Sequence, residues 1–141
     1  MARNDFEHLE QVALFEWAAW VKEPLRTILD DLLYAYPAGG KRPQKIDKKG
    51  RTYSPTAARM KAEGAKDGIP DIFLAVAMNG SHGLYIEMKY GKNKPTPLQK
   101  KRMKALEEQG YDVVVCWGWI EAAKKIMKYL GLSDGVGGLF T

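Results

Sequence analysis

The chain is poor in cysteine, in histidine and in acid. Its 141 residues include one cysteine and two histidines. A lone thiol makes no internal disulfide and no cysteine-based zinc site. Cys116 lies in the apolar run VVVCW and reads as a buried small hydrophobe, not a nucleophile. His8 reads as a surface residue and His82 as a turn residue, not a general base. No apolar run has membrane-spanning length, and MARNDFEHLE lacks the apolar centre of a signal peptide. A cytoplasmic protein is expected. There is no internal repeat and no linker, so one domain over residues 1–141 is expected, with a core at about 5–130 and a loose Gly-rich tail at 131–141.

Acids number 17 against 22 lysines and arginines, for a net charge of +5 and a pI near 9.2. That balance favours a polyanionic partner. The distribution says more. Lys41, Arg42, Lys45, Lys48, Lys49, Arg51, Arg59 and Lys61 crowd one segment against a single acid, Asp47. A second group is Lys89, Lys92, Lys94, Lys100, Lys101, Arg102 and Lys104. Such runs can be solvated surface. Both flank a pair of acidic positions, which favours phosphate contact. Lys41, Arg42, Lys45, Lys48, Lys49, Arg51, Lys92 and Lys94 are the candidate phosphate contacts.

Helical spacing of Phe6, Leu9, Ala13, Trp17 and Trp20 predicts a helix over 5–21, ended before Pro24. A short helical turn follows, then an apolar strand at 32–37. Residues 38–54 are Gly- and Lys-rich without period and read as a loop. Ser54, Pro55 and Gly64 mark the start and stop of a helix at 55–63. Segments 71–78 and 84–90 read as strands joined by the hairpin signal NGSHG. Thr96, Pro97, Gln99 and Gly110 bound another helix. Residues 111–117 read as a buried strand, and about 120–130 as a last helix with Ala123, Ile126, Met127 and Leu130 inward. The link from 84–90 through the helix to 111–117 is long enough for a right-handed parallel crossover. The expected class is α/β, a mixed sheet flanked by helices.

Asp71 opens one strand, and Glu87 and Lys89 end its hairpin partner. Strand side chains alternate, so Glu87 and Lys89 share a face and Met88 takes the other. A hairpin brings Asp71 to that end. Phosphodiester hydrolysis needs charge stabilisation at phosphoryl oxygens and an activated water, and Mg²⁺ supplies both. Magnesium takes one or two carboxylates plus waters. Asp71 and Glu87 supply the carboxylates, the Met88 backbone carbonyl a neutral oxygen, and Lys89 a water-orienting cation. A Glu-x-Lys alone is also an ordinary ion pair.

More of the sequence resembles the PD-(D/E)-x-K nucleases, and within them the VRR-NUC branch. Glu7 and Gln11 resemble its first-helix E-x-x-x-Q. YPAGGKR (36–42), KAEGAKDGIPDIFL (61–74), GLYIEMK (83–89), Pro97–Lys100 and GYDVVVCWGW (110–119) resemble its later blocks. Together they span about 7–130. Ala38 departs from the pattern, where the branch usually has Asn.

The resemblance implies a restriction-endonuclease-like core and a Mg²⁺- or Mn²⁺-dependent endonuclease. It implies a homodimer acting on branched DNA, four-way (Holliday) junctions included, in a bacterial or phage-infected cell. Asp71, Glu87 and Lys89 inherit the metal and catalytic roles. Glu7 adds a carboxylate, and Gln11 shares its helix face. Glu7 is also simply an acid favoured near a helix N-terminus. Gln99 has two readings, an active-site helper or the third residue of a capping box begun by Thr96. Glu10 and Glu16 read as surface residues. The tryptophans Trp17, Trp20, Trp117 and Trp119 read as core or dimer interface. A non-catalytic DNA-binding module and an RNA-directed nuclease of the same fold are the competing readings.

Overall fold

The computed structural model describes residues 3–36 and 45–132. Eleven elements follow one another among them: α1 (Arg3–Trp20), α2 (Leu25–Leu32), β1 (Leu33–Ala35), β2 (Lys45–Ile46), β3 (Thr52–Tyr53), α3 (Pro55–Ala62), β4 (Ile72–Leu74), β5 (Leu84–Lys89), α4 (Pro97–Glu108), β6 (Asp112–Trp117) and α5 (Trp119–Tyr129). The main sheet has the order β1-β4-β5-β6, and β2 pairs with β3 in a separate ribbon. β1, β4 and β5 are antiparallel neighbours, while β5 and β6 run parallel through α4. This is the mixed sheet and crossover expected from the sequence.

Local chemistry sets most boundaries. Ser54 caps α3 by accepting from the Ala57 amide, with Pro55 at its first turn. Thr96 and Gln99 form a full capping box at α4. Asn79 and Gly80 both have positive φ and close a tight turn between Met78 and Ser81, which exchange backbone bonds of 3.1 and 2.8 Å. The expected strand 71–78 pairs with β5 over Ile72–Leu74 alone. Beyond it, the Val76 carbonyl accepts from the Tyr129 hydroxyl of α5, and the segment leaves the ladder.

The core lies on one face of the sheet. Leu33, Ile72, Leu74, Leu84, Ile86, Met88 and Cys116 pack there against α1, α2 and α5. Burial of each large aliphatic side chain stabilises the fold by about 1.5–3 kcal/mol relative to exposure. Cys116 is inside this layer, and burial pushes its thiol pKa up to about 12. Ala123, Ile126 and Met127 face inward as expected, and Leu130 packs at the margin. Met103 of α4 is buried outside this cluster, and α4 contacts β6, so α4 lies on the opposite face.

Two expectations need correction. The buried line of α1 is Leu14, Trp17 and Ala18, continued by Val21 just past its end, whereas Leu9 is 48% and Trp20 is 86% exposed. Alanines at 13, 18 and 19 leave two apolar lines at helical spacing, and only contact with α5 and the sheet selects one. Segment 38–54 is also more than a loop. Its second half holds the β2–β3 ribbon, whose turn is built by Asp47 accepting from the amides of Lys49 and Arg51. An Asx-type turn needs one side chain and no hydrophobic period. The first half, with Ala38, Lys41 and Arg42, lies outside the described residues, as does most of the expected tail. No described helix is long and apolar enough to cross a membrane.

Candidate active site

The sheet register assembles the site. Ile72 pairs with Ile86, so Asp71, one step earlier, lies across from Glu87, one step later. On the outer side of this row the Tyr36 amide donates to the Asp71 carbonyl at 2.7 Å. On the inner side Glu87 pairs with Val115. One row therefore reads Tyr36, Asp71, Glu87, Val115. The next row toward the end of β5 is Lys89 with Trp117. All point away from the hydrophobic core, because Ile86 and Met88 point into it.

The strand is interior, so this polar face is not a wet edge. Glu87 is 2% and Lys89 7% exposed. Lys89 Nζ stands 3.6 Å from Glu87 Oε1. Glu87 Oε2 is buried and meets no hydrogen-bond donor among the described residues. A buried carboxylate oxygen without a partner is costly and is rarely left so without use. Asp71 Oδ2 accepts from the Met88 amide at 2.8 Å. Lys89 gives its carbonyl to Gly118 on the β6 side, so Met88 turns both its backbone groups toward the Asp71 side. Its carbonyl thus faces the same edge as the Asp71 carboxylate.

Burial, then repulsion from Asp71, pushes the Glu87 pKa up to about 8, with the Lys89 ammonium opposing. Burial also raises Asp71 above the ordinary aspartate range, opposed by the Met88 amide and Lys89. Two carboxylates face each other across the ladder with one lysine beside them. A cation or a proton relieves them.

Glu7 approaches from α1. Phe6 stacks on Tyr90 at 4.7 Å and ties the start of α1 to the end of β5. Glu7 Oε1 accepts from Asn93 Nδ2 at 2.9 Å, and its charge raises both Asp71 and Glu87. The three carboxylates do not converge into a cage: among the described residues no three His, Cys, Asp or Glu side chains do. Magnesium does not require one, since it keeps several waters and uses one or two carboxylates. The donor set fits such an ion, with the unpartnered Glu87 oxygen as the observation that favours it. Asp71, Glu87 and the Met88 carbonyl are the residues that would hold it.

Gln11 is half-buried one turn along α1 from Glu7. Gln99 Oε1 accepts from the Thr96 amide at 2.9 Å, so that oxygen serves the helix cap. Lys45, Lys48, Lys49 and Arg51 are exposed on the ribbon, and Arg51 Nε also donates to Asp47 at 3.0 Å. Lys92 and Lys94 are exposed beside the site in the β5–α4 connection.

Two residues here had no sequence signal. Asn93 holds Glu7 with its side chain and accepts the Trp117 indole N–H on its carbonyl at 2.8 Å. It fixes the connection between β5 and α4 against α1 and β6. Glu10, expected at the surface, is half-buried and accepts from the Trp119 amide at 2.9 Å, capping α5 across 109 residues. Gly118 lets the backbone turn there, at φ +92°. Neither partnership lies within the few residues over which caps and turns are read. A cavity of about 550 Å³ lies at the other end of β5, beside Leu84 and Asp112, away from the carboxylates.

The comparisons with known proteins bear on the family and the fold. The VRR-NUC domain family matches residues 25–119, which include Asp71, Glu87 and Lys89 but not α1. A solved structure described as a VRR_NUC domain protein is similar at 30% identity and a TM-score of 0.67, covering 91% of this chain and 90% of the other. No curated protein gives a significant match. A four-stranded mixed sheet, the family match over most of the chain and the agreement with that structure coincide on one assignment: the chain belongs to the VRR-NUC family and is a nuclease-type domain.

Proposed function

We propose that the protein is a Mg²⁺- or Mn²⁺-dependent DNA endonuclease selective for branched DNA, four-way junctions among its substrates. The observation that carries this reading is the buried row of Asp71 and Glu87 beside Lys89, with a Glu87 oxygen that meets no donor among the described residues. A bound divalent ion would neutralise charge on the phosphoryl oxygens and lower the pKa of an attacking water. Asp71 and Glu87 bind it, with the Met88 carbonyl beside them. Lys89 Nζ, held by Glu87, orients the water and offsets negative charge that grows on the phosphate. Glu7, held by Asn93, adds negative potential beside the two carboxylates that would hold the ion. The apolar core behind the strand fixes these groups before substrate arrives.

Exposed lysines support a polyanionic substrate. Lys92 and Lys94 flank the site directly, and the ribbon presents Lys45, Lys48 and Lys49. Contacts of this kind read phosphate positions and shape rather than base edges. A homodimer would place two active sites on one branched substrate. The exposed line of Leu9, Val12 and Trp20 on α1 supports a second copy as its cover.

The deciding experiment is cleavage of a panel of four-way junctions, flaps and duplexes, in DNA and in RNA, with no metal, Mg²⁺ or Mn²⁺. Metal-dependent cuts in branched DNA are expected. Binding without turnover in either metal would make the chain a DNA-binding module, and cuts confined to RNA would reassign the substrate.

A further inference from the structure

The row of the sheet next to the carboxylates is aromatic. Tyr34, Phe73 and Tyr85 stand directly opposite one another on β1, β4 and β5, with Val113 beyond them. They share a face with Asp71 and Glu87, two residues along each strand, a separation of about 6.6 Å. That is about two nucleotide rises of 3.4 Å. The rings are arranged, not scattered. Phe73 tilts on Tyr85 at 4.3 Å, and Tyr34 meets Phe73 edge-on at 5.8 Å. Gly83 makes this possible, because a side chain there would meet the Phe73 ring at 2.6 Å.

Phe73 and Tyr85 are half-buried, but Tyr34 is 50% exposed on the edge strand. A groove of about 350 Å³ opens there, with Tyr34, Tyr36, Phe73 and Tyr85 as its aromatic lining and Lys66 at its side. The Tyr36 hydroxyl accepts from the Lys66 amide at 2.8 Å and holds that segment in place. The groove thus has flat π-faces, a cation and a floor continuous with the metal-binding carboxylates.

We infer that this groove takes an unpaired nucleobase of the DNA strand whose phosphate lies at Asp71 and Glu87. The inference rests on the nuclease reading above and adds what the site prefers. A base stacks on an aromatic ring whatever its identity, so the groove selects DNA that has a base free to leave the duplex. Lys66 meets the neighbouring phosphate. Branch points and frayed ends offer such a base, and an intact duplex must first break a pair. The groove therefore supplies a physical basis for structure selectivity without base reading.

The test is metal-free binding of the full chain to forked DNA, compared with the same fork lacking one base at successive positions near the branch. One abasic position should weaken binding about tenfold, within the range of a lost stacking contact. Tyr34→Ala should weaken binding of the intact fork by the same factor and leave the abasic fork unaffected. Tyr34→Phe should restore wild-type affinity, and paired duplex should respond little to either change. Equal binding of intact and abasic forks at every position overturns the inference, and this arm needs no variant. Failure of the nuclease reading looks different: wild-type protein would bind the fork yet leave it uncut in Mg²⁺ or Mn²⁺. Cleavage of forks with no abasic effect removes the groove alone, and absence of any DNA binding removes both.

Discussion

Strand β5 carries two faces that are equally hidden from water and chemically opposite. Ile86 and Met88 enter the hydrophobic layer against α1 and α5, a layer whose side chains carry no charge. Glu87 and Lys89 are nearly as buried on the other side, but they keep an unpartnered carboxylate oxygen and a second acid, Asp71, across the ladder. The first face lowers the free energy of the fold. The second raises it until something positive arrives. Burial alone therefore does not distinguish core from site; buried charge does.

Substitutions on the two faces should separate activity from stability. Lys89→Ala should lower metal-dependent cleavage by about 10²–10³-fold or more, the scale of losing a preorganised charge partner. Metal-free DNA binding should change little. Retained cleavage in that variant would remove Lys89 from the mechanism. Ile86→Ala, one strand position before Glu87, should cost about 2–5 kcal/mol in denaturant unfolding. Its cleavage rate per folded molecule should stay near wild type. Comparable loss of turnover per folded molecule would mean that the two faces are not separable.

The pH dependence probes the polar face in the metal-free protein. Glu87 ionises near 4.5 when unfolded and near 8 when folded. Between those values the folded chain keeps a proton that the unfolded chain has released. Stability from this group should therefore fall as pH rises from about 4.5 to about 8. Asp71 is shifted in the same direction. Thermal unfolding across this range should show the decline, and added Mg²⁺ should oppose it at the alkaline end. A profile identical in Lys89→Ala, Asp71→Asn and wild type would argue against the coupled carboxylates.

Gln99 gives the smallest and sharpest contrast. As a cap residue alone, Gln99→Ala should cost about 0.3–1.5 kcal/mol of stability and leave cleavage unchanged. A drop in cleavage beyond tenfold at unchanged stability would instead place its side-chain amide nitrogen in the reaction.

The site was legible where its logic is local. Glu87 and Lys89 share a face because strand side chains alternate, and the hairpin signal at Asn79-Gly80 brings Asp71 to their end. The caps at Ser54 and Thr96 act within three residues and were equally readable. The face that α1 buries was not readable, since its small apolar residues satisfy two phases. Asn93 and Glu10 were invisible because their partners lie 86 and 109 residues away.

By itself the sequence determined most of the elements, the helix caps at Ser54 and Thr96, and the three residues of the candidate site. Those depend on backbone preference and on side chains a few positions apart. The tertiary structure decided which strand is interior, how deeply Glu87 and Lys89 are buried, and that an aromatic row stands beside them. The reason is register. Rows across a sheet join residues far apart in the chain, and their energies exist only once the strands have paired.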